Sequence, residues 1–119
     1  MARSVIASVL LITMLAAAPG ALAKTAAKPK PATKVTVLEY EYGFKLSRAS
    51  VPAGRVTFVM ENAGGLVHNF DVIGMREGPF LLSGQRATMT VTMKKGDYTY
   101  VCSVKYHASQ GMQGTITVR

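Results

Sequence analysis

From Val35 onward, apolar and polar side chains alternate in short runs, and no stretch keeps a helical period for three turns. A side-chain period of two builds strands with one face on a core and the other toward water. Val56, Phe58 and Met60 form one such face, which stops at Asn62-Ala63-Gly64-Gly65. Leu66, His68, Phe70 and Val72 share a parity in the next run. Ala87, Met89, Val91 and Met93 alternate with Thr88, Thr90 and Thr92, and Lys95-Gly96-Asp97 ends that strand. Tyr98, Tyr100 and Cys102 alternate with Thr99, Val101 and Ser103, and Thr115 to Val118 makes a last short strand. Earlier, Leu38, Tyr40, Tyr42, Phe44 and Leu46 share one parity, while Glu39, Glu41 and Lys45 take the other and read as a solvated face. Val35 and Val37 are out of step with this pattern, which predicts a bulge near residues 37–38. Pro52-Ala53-Gly54 reads as a turn and Gly64-Gly65 as a hairpin turn. The stretch from Gly74 to Arg86 is irregular. About seven short strands, with turn signals near every tenth residue, predict an all-β antiparallel sandwich or barrel.

The N-terminus has a different pattern. Arg3 precedes the apolar run Val5–Ala18, and Ala21-Leu22-Ala23 follows as a small-residue cleavage site. The run is shorter than the ~20 residues a spanning helix needs, so residues 1–23 read as a secretory signal peptide. Residues 24–34, rich in Lys, Ala and Pro, read as a solvated flexible tail. The folded domain is expected over 35–119, periplasmic or secreted, with no membrane span once the leader is removed. Removing 1–23 takes away one positive charge from the +8 of the whole chain. Four of the remaining positives are Lys24, Lys28, Lys30 and Lys34 in the tail. No aromatic residues interleave with these lysines, which argues against nucleic acid as a partner.

Export makes the cysteine count informative. Cys102 is the single Cys, so no internal disulfide forms, and metal sites that need two or more thiolates are excluded. The open readings are an intermolecular bridge, an inert buried thiol or a metal thiolate. Both histidines of the chain, His68 and His107, stand in suggestive places. His68 has inward parity. Cys102, His107 and Met112 are spaced five apart in the turn between two strands, a loop long enough to aim three side chains at one point. Two imidazoles, one thiolate and a thioether are the donor set of blue-copper electron-transfer sites. With both histidines so committed, none remains for a Ser or Cys triad, nor for a second copper of the kind an oxidase needs.

The stretches Asn62-Ala63-Gly64-Gly65-Leu66-Val67-His68-Asn69-Phe70, Tyr98 to Val104 and His107 to Thr115 together resemble the cupredoxins, the plastocyanin and azurin family. The resemblance covers residues 35–119, and the Cys-x4-His-x4-Met spacing is similar to that of rusticyanin and auracyanin. It implies a Greek-key β-sandwich, one type 1 copper ion per chain, and His68, Cys102, His107 and Met112 as its ligands. It also implies that Asn69 hydrogen-bonds across to the Cys102-Ser103 turn. Where related sequences often carry Pro-Gly before the second His, this chain has Lys105-Tyr106.

The function expected is that of a one-electron carrier and not an enzyme. It would act as a monomer that docks redox proteins, acidic ones among them, near His107 and a rim containing Tyr106 and Met75. The alternative is a periplasmic copper chaperone or copper-buffering protein.

Overall fold

Alternation becomes strand wherever a neighbouring strand takes up the backbone N–H and C=O groups, and two sheets result. The computed structural model describes residues 14–17, 19–20 and 27–119. Most of the expected leader, and all of its Ala21-Leu22-Ala23 site, lie outside the described residues. The strands are β1 (Thr33–Tyr40), β2 (Gly43–Leu46), β3 (Ser50–Val51), β4 (Gly54–Asn62), β5 (Asp71–Val72), β6 (Arg86–Met93), β7 (Gly96–Val101) and β8 (Gln113–Val118). One sheet has the order β2-β1-β4-β6 and the other β3-β8-β7-β5. Val35, Val37, Phe58, Met60, Met89 and Met93 of the first sheet pack with Val51, Val72, Ile116 and Val118 of the second, and Phe70 is buried in the same cluster. Among the described residues there is no helix long and apolar enough to cross a membrane.

The all-β sandwich agrees with the sequence reading, but the pairing is mixed rather than purely antiparallel. β1 runs parallel to β4, and β3 runs parallel to β8. The reason is connectivity. After the β1–β2 hairpin the chain crosses to the second sheet at β3, then returns to the first as β4, travelling in the direction of β1. Such parallel neighbours need a crossover and cannot come from a tight hairpin.

The expected bulge near residues 37–38 is absent. β1 pairs with β4 without interruption from Thr33↔Val56 to Glu39↔Asn62, so Val35, Val37 and Glu39 share the inward face. The phase change falls instead at the turn Glu41-Tyr42. Across that hairpin Glu39 faces Phe44 and Val37 faces Leu46, and directly opposed residues lie on one side of a sheet. Glu39 is therefore fully buried rather than solvated. The domain also begins two residues before the expected Val35, because β1 starts at Thr33. Just ahead of it, the Lys30 carbonyl accepts a 3.1 Å bond from Arg55 Nη2.

Two further expectations are corrected at the same end of the sandwich. Gly64-Gly65 is a bend and not a hairpin turn, because β4 already has β1 and β6 as its partners. The run from Leu66 to Val72 is strand only at Asp71–Val72. His68 through Val72 are all buried, without alternation, because this segment closes the end of the sandwich instead of lying flat in a sheet.

Candidate metal centre

Cys102 sits one residue beyond β7, and the loop that follows is closed mostly by its own backbone. The Cys102 N–H donates to the Met112 carbonyl (3.0 Å), His107 N–H to Val104 (3.0 Å), and Met112 N–H to His107 (3.1 Å). A single 3-10 turn, Ala108–Gln110, carries the chain from His107 to Gly111. Gly111 has φ +123°, and a Cβ there would stand 2.9 Å from the Tyr42 carbonyl, so glycine answers both the conformation and the close approach. Tyr106 takes φ +69°, a left-handed conformation that bulky residues rarely adopt. It is the residue that stands where relatives often carry the glycine of Pro-Gly. Its ring lies under the Lys105 ammonium at 5.0 Å.

His68 reaches the same point from outside any named strand. Its N–H donates to the Leu81 carbonyl (3.2 Å) and its carbonyl accepts from Leu81 N–H (2.8 Å). Behind it, the fully buried Asn62 pins both flanks. Asn62 Nδ2 donates to the carbonyls of Leu66 and Leu81, each at 2.7 Å, and its Oδ1 accepts from Gly64 N–H at 2.9 Å.

The result is a buried cluster. One donor atom from each of His68, Cys102 and His107 lies within 4.8 Å of the others. His68 Nδ1 is 3.1 Å from His107 Nδ1, which is 3.6 Å from Cys102 Sγ. A first-row ion held about 2.0–2.3 Å from imidazole nitrogen and thiolate sulfur needs its donors about 3–4 Å apart, so the set fits. The tautomer agrees. His68 Nε2 faces a carboxylate oxygen of Glu41 at 2.9 Å, an acceptor only, so the ring proton lies on Nε2 and Nδ1 turns a lone pair into the cluster. Lone pairs and a thiol crowded together in a dry site call for a proton or a cation between them. Met112 is fully buried and joined by backbone bonds to Cys102 and His107.

Around these residues, two ties connect the segments. Asn69 Oδ1 accepts from Ser103 N–H (2.8 Å), and Asn69 Nδ2 donates to Ser103 Oγ (2.9 Å) and to Asp71 Oδ1 (2.8 Å). This is the bond to the Cys102-Ser103 turn that the family resemblance implies. The second tie was not legible beforehand. The β1–β2 turn places Glu41 on His68 and the Tyr42 ring edge-on to His107, with centroids 5.2 Å apart. The mismatch of parity around residues 37–44 was the one sequence signal that could have marked this turn as something other than a continuing strand.

Electrostatics follow burial. The Leu66 amide N–H, donating at 2.6 Å, lowers the Glu41 carboxyl to about 2, with help from the Gly65 amide and His68. Burial, and then the neighbouring His68, push His107 down and favour the neutral ring that ligates metals. Burial pushes the Cys102 thiol up, against the pull of the Asn69 and Val104 amides. A metal at this thiol must therefore displace a proton. Glu39 is raised to about 7 by burial and by the nearby Asp71, and neither of its carboxyl oxygens has a hydrogen-bond partner. His107 is 7% exposed, whereas Tyr106 beside it is 66% and Met75 38% exposed.

A two-sheet sandwich with two histidines and a cysteine gathered at one end defines a class, the small β-sandwich proteins with a copper-type site. The chain belongs to the cupredoxin-like family, whose domain model matches residues 5–118. No curated protein matches the chain. Among solved structures it is similar to dithionite-reduced auracyanin from the photosynthetic bacterium Roseiflexus castenholzii, with a TM-score of 0.64 and 16% identity over 76% of this chain and 99% of that one. Auracyanin B aligns with a TM-score of 0.64 and 20% identity over 78% and 93% of the two chains. Auracyanin A, a blue copper protein from the green thermophilic bacterium Chloroflexus aurantiacus, aligns with a TM-score of 0.62 and 17% identity over 75% and 100%. At these identities the likeness speaks for the fold.

Proposed function

We propose that this chain is an exported blue-copper protein that holds one copper ion through His68, Cys102, His107 and the Met112 thioether, and passes single electrons between redox partners. The observation that carries the reading is the convergence of His68 Nδ1, His107 Nδ1 and Cys102 Sγ within 4.8 Å in a buried site. Copper bound there would supply a one-electron couple. The protein's own part is to hold the donors still. The ties through Asn62, Asn69 and Leu81 leave little to rearrange when charge changes. The Asn69 and Val104 amides also draw the Cys102 thiol toward its anionic form.

His107 is the natural exit for the electron. It comes from the loop, keeps a small exposed edge, and is flanked by the exposed Tyr106. Partners would dock there weakly, with the excess positive charge favouring acidic ones. Residues 1–23 would direct export, and 24–32 would tether the domain in the periplasm or outside the cell. Copper delivery is the less supported role, because all three donors are buried and a delivery site needs an opening for exchange. Titration of the full chain with Cu(II) tests the reading. One equivalent should develop an intense visible thiolate-to-copper band, absent in Cys102→Ser. A wild-type chain without that band would falsify the assignment.

A further inference from the structure

The β1–β2 turn brings to the metal centre a charged side chain that the alternation pattern assigned to a solvated face. Glu41 Oε1 lies 2.9 Å from His68 Nε2 and accepts the Leu66 N–H at 2.6 Å. The ring it touches is fully buried, while the Glu41 side chain is 30% exposed. The space for the carboxylate is made by Gly64, where a Cβ would stand 2.6 Å from both Glu41 oxygens. Three features meet here: a hairpin turn that delivers the carboxylate, a backbone amide that fixes it, and a glycine that leaves it room.

We infer that Glu41 is a positioning residue for the copper centre, which fixes His68 as its Nε2–H tautomer, aims Nδ1 at the ion and lowers the reduction potential through its negative charge. The inference rests on the copper reading above. A neutral acceptor at this place would set the same tautomer, but only a carboxylate adds charge. Bonded to Nε2–H, it draws the ring proton toward itself and makes Nδ1 a stronger donor, as outer carboxylates do for other metal-bound histidines. The fixed negative charge also favours the more positive oxidation state. Cu(II) is therefore stabilised over Cu(I).

The test uses the full copper-loaded chain at fixed pH, with the potential, the visible band and the melting temperature measured together. Glu41→Gln keeps shape and acceptor oxygen but removes the charge. Cu(II) affinity should fall about tenfold relative to Cu(I), which equals a rise of about 59 mV in potential. Gly64→Ala keeps the charge and pushes the carboxylate off the ring, so the potential should move the same way by a smaller amount. That variant carries the test if Glu41→Gln does not fold. Lower melting temperatures with an unmoved potential would make Glu41 a structural residue and overturn the inference while leaving the copper site standing. A wild-type chain that develops no thiolate band removes both.

Discussion

The two segments that meet at the candidate metal centre are built in opposite ways. The Cys102–Met112 loop brings three of the four candidate ligands within eleven residues and is stapled by its own short-range bonds, Cys102 to Met112, His107 to Val104 and Met112 to His107. The His68 segment depends more on distant support. His68 itself is held by Leu81 and Glu41, 13 and 27 residues away in the sequence, and Asn62 ties its near flank to Leu81, 19 residues further on. One half of the site is a local motif and the other is an appointment kept by remote elements. This difference teaches where the centre is vulnerable. Damage to remote contacts should misplace His68 while the Cys–His–Met loop keeps its shape.

Asn62→Ala is the most severe way to sharpen the contrast. It leaves the Leu66 carbonyl and Gly64 N–H without their partner and strips a second donor from the Leu81 carbonyl. Loss of these buried and half-buried bonds should cost about 3 kcal/mol and weaken copper binding through His68. Urea denaturation and Cu(II) titration of the same variant measure the two effects, and a stable variant with normal copper uptake would show that His68 is held otherwise.

Asn69→Ala cuts the tie between the two segments at the edge of the site, where Ser103 is exposed to water. Water can replace part of the lost bonding, so about 1–2 kcal/mol is expected. The visible band should shift as the sulfur loses its orientation. A loss of stability as large as that of Asn62→Ala would show that water does not replace the bonds at this edge.

Glu39→Gln gives the smallest effect and probes the core strand behind the turn. The Glu39 pKa is raised from its ordinary 4.5 to about 7, so the folded state binds this proton more tightly than the unfolded chain does. That stabilisation is complete below pH 4.5 and disappears as the pH rises through 7. The Gln variant should lose this slope and be more stable above pH 7 by about 1 kcal/mol, the relief of the buried charge being partly offset because a buried amide there also lacks partners. Urea melts at pH 5 and pH 8 compare the two proteins, and identical slopes would assign the pH dependence to other groups.

The sequence determined the strands of long, unbroken alternation. Residues 54–62 and 86–93 had to place Phe58, Met60, Met89 and Met93 inside, because a period of two leaves one choice of face once the apolar set is fixed. It also marked the Cys102, His107 and Met112 loop, since three donor residues at close spacing are a local property. Tertiary structure alone decided the rest. The parity of Glu39 depended on a two-residue turn that resets the face, and the parity mismatch in the sequence marks that a change occurs but not where it falls. The parallel pairings of β1 with β4 and β3 with β8 depended on which sheet β3 joined. The meeting of Glu41 with His68 required two segments 27 residues apart to close on the same end of the sandwich. Alternation records which way a side chain faces within its own strand. It carries no information on what stands opposite, and the opposite element makes a carboxylate either a solvated charge or a partner of a ligand.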